Sequence, residues 1–338
     1  MFAVGNVIRS ATRRSSGDPL NILTICNNNE KYIALLCATG HNFFLLKRDP
    51  FNWKAPIENK PSNLQVIDQN WPSSYFDMIL CNDRLDQYHF AAELSQSFHL
   101  PIVLIDHCSS HVIKPECAFG TVSVDSPEAL IRNCAANVCT SEYANKSWPG
   151  SNLRLTIPIG IDTDKFVIPH VPILDEAFGE NLTPTRIVFD NNTQPQVGDS
   201  IFSSFTKNSH TVIPTDTDIG EKERVYQQGD YFISPQNHVT VKMLEAMACG
   251  NIPICFSTPD IDAFIQHGVD GFVLNEPSEV PDLIGKLDSL APEERAAISQ
   301  KARDKVVATQ STPEEFVSKW NGIFSYMRSQ YYNIEGVV

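Results

Sequence analysis

Apolar residues fall along this chain in short continuous runs, each closed by polar or turn-forming residues and followed by a stretch with helical spacing. Leu20–Cys26, His41–Leu46, Phe76–Cys81, Pro101–Asp106 and Asn137–Ser141 read as strands. Between them, Glu30–Ala38 (stopped by Gly40), Asp86–His99 and Glu142–Ser147 read as helices. Strand, loop, helix, strand in this order indicates a parallel sheet, so a doubly wound α/β domain is expected in the first half. Ligands of such sheets sit at the carboxyl ends of strands, where the strand order reverses. Asn27–Asn29, Asn82, Asp83, His107–Ser110 and Ser141 all fall at those ends.

Leu155–Phe166 is expected to be a strand ending in a Gly-Ile-Asp turn, and the proline-bearing, aperiodic Val167–Thr185 reads as a linker. The alternation then restarts. Arg186–Phe189, Thr211–Ile213, Asp230–Ser234 and Phe272–Leu274 read as strands, and Ser200–Lys207, Glu221–Gln228, Ser278–Leu290 and Pro292–Thr309 as helices. Thr312–Arg328 opens on a cap, a proline and two acids, a good helix start. The expected organisation is a flexible basic tail over 1–19 and a first domain over 20–166. A linker over 167–185, a second domain over 186–311 and a final helical segment over 312–338 follow.

The most informative stretch is Ser234–Phe256, which reads as a polar loop, a helix, a glycine stop and a buried strand. Val241, Leu244 and Ala248 recur at helical spacing. Gly250 stands where a left-handed residue ends a helix, and Pro253 forbids continuation. The loop aims free backbone N–H groups and the positive end of the helix dipole outwards, a geometry that favours a phosphate. Glu245, a carboxylate beside the apolar face, is the anomaly.

Composition narrows the classes. The 338 residues are too many for one ordinary core and fit two domains of roughly 150 each. No apolar run approaches the roughly 20 residues of a membrane span. Nine cysteines, at irregular spacing and mostly inside apolar runs, point to buried thiols in a reducing, cytoplasmic setting without a C-x-x-C pair. The net charge of −14 lies mostly after residue 166. Gripping nucleic acid non-specifically takes a basic face, and none is evident beyond Arg9, Arg13 and Arg14 in the tail.

Three motifs, in this order, carry a resemblance: Ile-Pro-Ile-Gly-Ile-Asp-Thr-Asp-Lys-Phe at 157–166, Leu-Glu-Ala-Met-Ala-Cys-Gly at 244–250 and His-Gly-Val-Asp-Gly-Phe at 267–272. Together they resemble the retaining family-four glycosyltransferases, over about residues 140–290. The resemblance implies an α/β protein of GT-B fold, with two Rossmann-like domains facing across a cleft and a C-terminal helix crossing back to the first domain. It implies transfer of a sugar from a UDP- or GDP-sugar, held mainly by the second domain, to an acceptor hydroxyl held by the first. No cofactor beyond the donor, and no metal, is implied. Glu245 matches the second acid of the family's Glu-x7-Glu motif and would bind the donor ribose, since a carboxylate accepts from two neighbouring hydroxyls. Asn237 stands where the first acid, a ligand of the transferred sugar, is expected. His238, Val239 and Thr240 occupy the loop facing the diphosphate, Thr240 in place of a common glycine, and Lys242 could add a cation.

The family's Arg and Lys, which neutralise the leaving diphosphate, are missing from the loop Asp190–Gly198, where Asn191 is a donor-site candidate. That charge must be met by something: helix N-termini, Lys242 or Lys207, or a divalent ion. The acid pairs Asp162/Asp164 and Asp216/Asp218 are weaker metal candidates. In the first domain, His107 is the candidate catalytic residue, contacting sugar or acceptor, and Asn27, Asn28, Asn29 and Glu30 are acceptor-site candidates. The acceptor expected is a saccharide. Two alternatives stay open: a hydroxymethylated base in DNA, flipped from the duplex, and a non-catalytic nucleotide-sugar-binding protein.

Overall fold

The structure, a computed structural model, describes residues 17–26, 30–46, 60–67, 75–82, 85–110, 134–148, 153–169, 186–190, 211–214 and 222–332. The expectations for Asn27, Asn28, Asn29, Asp83, Asn191, Lys207, Asp216 and Asp218, for the helix 200–207 and for most of the tail and linker lie outside these residues. The chain divides into two compact units, one of residues 1–160 with 313–338 and one of residues 161–312.

The first unit is built on strands β1 (Asn21–Ile25), β2 (Asn42–Leu46), β3 (Leu64–Ile67), β4 (Met78–Asn82), β5 (Ile102–Asp106), β6 (Ala136–Cys139) and β7 (Leu153–Thr156). They form one sheet in the order β3-β2-β1-β4-β5-β6-β7, every described pairing parallel. The strand order reverses between β1 and β4, which makes their carboxyl ends the switch point of this sheet. Helices α1 (Glu30–Cys37), α2 (Leu85–Phe98) and α3 (Glu142–Ser147) connect the strands. β1, β4, β5 and β6 bury every side chain, as a sheet covered on both faces requires.

The second unit carries β8 (Arg186–Phe189), β9 (Thr211–Pro214), α4 (Lys222–Gln228), β10 (Tyr231–Ser234), α5 (Val241–Ala248) and β11 (Ile252–Phe256). α6 (Pro259–Phe264), β12 (Phe272–Leu274), α7 (Val280–Asp288) and α8 (Pro292–Thr309) complete it. Its parallel sheet runs β12-β11-β10-β8-β9, so the order reverses between β8 and β10.

The last helix, α9 (Pro313–Tyr332), belongs to the first unit and packs against α1. Phe316, Trp320, Phe324 and Met327, spaced three and four apart, are buried, each contributing roughly 1.5–3 kcal/mol. Phe316 meets the Tyr32 ring edge-on at 5.5 Å, and Phe324 meets His41 at 5.0 Å. Arg328 ties the helix end to the start of the fold by donating to the Asp18 carbonyl at 2.5 Å. No helix among the described residues is long and apolar enough to cross a membrane.

Three expectations need correction. The strand expected to open at Leu155 ahead of the Gly-Ile-Asp turn spans Leu153–Thr156 and stops there, because Pro158 has no N–H to continue the ladder. Residues 157–166 instead form a turn in which the Phe166 N–H bonds the Asp162 carbonyl at 2.9 Å. The apolar face of α5 is wider than Val241, Leu244 and Ala248 suggest. Met243, Leu244, Ala246, Met247 and Ala248 are all buried, while Val241 is half-buried. β3 and α6 have no counterpart in the sequence reading.

The stop after α5 has the expected form. Gly250 has φ of +85°, and its N–H bonds the Met247 carbonyl at 2.9 Å. A Cβ there would stand 2.7 Å from Ser299 Oγ and 2.8 Å from Ile168 Cγ1. Gly250→Val is therefore expected to cost about 2–5 kcal/mol, from a left-handed β-branched residue and overpacking together. Chemical denaturation of both proteins checks this, and an unchanged midpoint would remove the constraint assigned to Gly250.

Candidate functional site

The polar residues of the second unit gather at the carboxyl edge of its sheet, around the switch point between β8 and β10. Ile187 and Phe189 of β8, Tyr231 and Ile233 of β10 and Ile252 and Ile254 of β11 share one core with α7. Side chains alternate along a strand, so Val188, Phe232, Ser234 and Cys255 take the opposite face, and Asp190 follows on that side. Ser234 is the register partner of Cys255, and the Asp190 N–H bonds the Ile233 carbonyl at 3.2 Å.

The first turn of α5 lies over this face. Cys255 Sγ is 3.8 Å from Met243 Sδ, and Lys242 Nζ donates to Asp190 Oδ1 at 2.7 Å. This ion pair is largely withdrawn from water, with 13% of the Lys242 side chain and 2% of the Asp190 side chain exposed. Thr240, with ordinary extended backbone, is the N-cap, and its hydroxyl accepts from the Met243 N–H at 3.2 Å. The other first-turn N–H groups lack intrahelical carbonyls by construction of a helix.

The loop before the helix is held from two sides. Asn237 is exposed, and its carbonyl accepts from the Thr258 hydroxyl at 2.8 Å, the same hydroxyl that caps α6 by accepting from the Ile261 N–H. Asn237 Oδ1 lies 2.8 Å from His238 Nδ1. Desolvation lowers the His238 imidazole to about 4, against the opposing pull of the Asp190 carboxylate. Val239 and Glu245 are half-buried. Glu245 lies three residues after Lys242, close to the same helix face. The structure thus brings Asn237, His238, Val239, Thr240, Lys242 and Glu245 to one edge and adds Asp190 and Ser234. Sequence reasoning missed those two as site residues, because only the strand order reveals that β8 and β10 end side by side.

In the first unit, His107 follows β5 at the carboxyl edge. It is buried, with its ring edge-on to Tyr32 at 4.8 Å. Alternation along β1, β4 and β5 puts Cys26, Asn82 and His107 on one sheet face and Asp106 on the other, where Cys139 Sγ donates to Asp106 Oδ2 at 3.7 Å. Asn82 closes β4 at the switch point, 1% exposed, and neither atom of its amide has a hydrogen-bond partner. Burial pushes the Tyr32 phenol far above its usual range, so it stays protonated. Glu30 opens α1. The eight described cysteines are all buried thiols, and none is in a disulfide. Asp162 Oδ1 accepts from the Lys165 N–H at 3.0 Å, and no metal-holding cluster of acids, histidines and cysteines occurs among the described residues.

Comparison with known proteins agrees with this layout. Residues 197–292 match the family model described as glycosyl transferases group 1. No curated protein sequence matches the chain. Among solved structures, sucrose-phosphate synthase from Thermosynechococcus elongatus superposes with a TM-score of 0.67 at 14% identity, over 92% of this chain and 100% of that one. HepE from Anabaena in complex with UDP-glucose superposes with a TM-score of 0.66 at 13% identity, over 91% and 100%. A glycosyltransferase from Rickettsia africae gives a TM-score of 0.56 at 13% identity, over 92% and 99%. At these identities the likeness establishes the fold, an α/β GT-B fold of two Rossmann-like units.

The lowered His238 has a consequence for acid stability. An unfolded imidazole takes its proton near 6.5, whereas His238 takes it near 4. Between these values the unfolded chain binds more protons, so stability is full above about 6.5 and falls as the pH drops through 4. His41, brought to about 4 by burial and then by Arg328, adds to the same limb. His238→Gln should flatten the fall of the urea midpoint between those pH values, and a limb as steep as the parent's would sink the assignment.

Proposed function

We propose that the chain is a glycosyltransferase that moves a sugar from a UDP- or GDP-sugar to an acceptor hydroxyl, with retention at the anomeric carbon. The observation that carries this reading is the edge of the second unit. A capped helix N-terminus, a lysine, a glutamate one turn on and a polar loop converge at a sheet switch point, inside the segment that matches the glycosyl transferases group 1 model. HepE, similar in fold, is described in complex with UDP-glucose and with UDP.

In this reading the second unit holds the donor. Glu245 accepts hydrogen bonds from the two ribose hydroxyls. The backbone N–H groups at Val239, Thr240 and the first turn of α5 meet the diphosphate. The Asn237 amide bonds hydroxyls of the transferred sugar, doing without charge what a carboxylate would do with it. Asn191 in the following loop is a further donor contact. The first unit holds the acceptor, with Asn27, Asn28, Asn29 and Glu30 at the end of β1, and His107 contacts sugar or acceptor. No protein nucleophile and no metal are assigned. The acceptor is a saccharide, and the reaction takes place in the cytoplasm.

Release of nucleoside diphosphate from a panel of UDP- and GDP-sugars tests the donor half. Slow hydrolysis is expected, and Glu245→Gln should weaken nucleotide binding by about 10- to 100-fold, the worth of charge-assisted hydrogen bonds. Absence of both binding and turnover across the panel would leave a non-catalytic protein. Incubating labelled donor with oligosaccharides and, separately, with hydroxymethylcytosine DNA tests the acceptor. Label on saccharide is the expected result, and label on DNA alone would replace the saccharide.

A further inference from the structure

Resting on the nucleotide-sugar reading, we infer that Lys242 is the cation that meets the donor diphosphate, and that Asp190 is its positioning residue. Expelling a nucleoside diphosphate puts negative charge on its oxygens, and a site that does this quickly must hold positive charge or aligned N–H groups against them. The sequence of the loop after β8, residues 190–199, contains no lysine or arginine. Among the described residues, Lys242 is a basic side chain that the topology brings to the switch point, and it is held there at 2.7 Å by a carboxylate from the neighbouring strand end.

The arrangement differs from an incidental surface pair in two respects. Asp190 is almost wholly buried, and a buried ion pair is a weak source of stability, often matched by apolar residues of the same volume. What such a pair does supply is direction. An ammonium has three donors, so the one given to Asp190 orients the other two.

A second observation is independent of the pair. Ser234 ends β10 beside Asp190 and beneath the first turn of α5. Its hydroxyl is fully buried and has no hydrogen-bond partner in the protein. A buried hydroxyl left this way is costly to the fold until something bonds to it. An oxygen-rich group at this edge, beside Asp190 and Ser234, would meet the Lys242 ammonium and this hydroxyl. A diphosphate has the oxygens and the charge for it.

Calorimetric titration of the full chain with UDP, GDP, uridine and guanosine tests the inference. The nucleosides serve as internal controls, since a structural role for Lys242 would move nucleoside and nucleotide affinity together. The native chain is expected to bind one diphosphate at least about 10-fold tighter than its nucleoside. Lys242→Met should reduce that preference about 10- to 100-fold while leaving nucleoside affinity in place. Because Lys242→Met leaves Asp190 buried and uncompensated, the double change Lys242→Met with Asp190→Asn keeps the test open if the single variant fails to fold. Lys242→Arg should restore the preference to within a few-fold. A double variant that keeps the native preference overturns the role of Lys242. Failure of the native chain to bind either diphosphate overturns the nucleotide-sugar reading instead.

Discussion

A parallel sheet covered on both faces leaves little room for polar side chains except where its strands end, and this constraint organises both units. In β1, β4, β5 and β6 every side chain is buried, and a buried polar group without a partner costs about 1–3 kcal/mol. Where polar groups occur within the strands they are mostly answered locally. Asn21 donates to the Tyr75 carbonyl at 3.0 Å, and Thr24 to the Ile22 carbonyl at 3.4 Å. At the carboxyl edges the pattern changes: Asn82, His107, Asp190 and Ser234 are buried polar groups whose places follow from strand order. Chemistry and fold share one cause. The carboxyl edge that gathers these polar groups is also the edge at which parallel α/β sheets bind their ligands.

The second unit fixes its helix α5 from the far end. A helix leaves its last carbonyls without intrahelical partners, and the Arg303 guanidinium of α8 takes the Ala248 carbonyl together with those of Phe166 at 2.5 Å and Thr163 at 2.8 Å. Ser299, one turn earlier in α8, donates to the Gly250 carbonyl at 2.6 Å. The Gly-Ile-Asp turn, the end of α5 and the start of β11 are thereby held by one helix. With its rear satisfied and its flanks buried, α5 has a defined angle, and Lys242 and Glu245 become positioned groups rather than surface charges.

What was legible in the sequence follows from where the signals are local. β8 and α8 were readable to the residue, β8 as a bounded apolar run and α8 from its leading proline and first-turn acids. The left-handed Gly250 was equally local. β3 escaped because it is a short edge strand, with Leu64 and Ile67 buried and Gln65 and Val66 exposed, so it forms no run. α6 has a threonine cap and Pro259 at its start, yet its few residues show no period. Lys242 could not be decided between ligand and surface, because its partner lies 52 residues away on another strand. No periodicity reports a contact of that span. Glu245 and Asn237 took their expected roles from resemblance, and the contacts of Asn237 came from structure alone.

The departures from the family pattern that the motifs imply are not independent of one another. An acid is expected at position 237, and Asn237 replaces it with an uncharged amide whose oxygen lies 2.8 Å from the His238 ring. A carboxylate there would favour a protonated imidazole, since an opposite charge within hydrogen-bond distance stabilises the charged form. His238 instead has its pKa lowered by desolvation, which an amide partner permits and a carboxylate would oppose. Asp190 and Lys242 likewise cancel across 2.7 Å. Among the described residues, this edge of the second unit carries a neutral pair, Asn237 with His238, and a compensated pair, Asp190 with Lys242. If a diphosphate binds at this edge as proposed, an uncharged 237 suits it, because a carboxylate there would add negative charge beside the oxygens of the ligand. The asparagine and the neutral loop are two sides of one electrostatic balance.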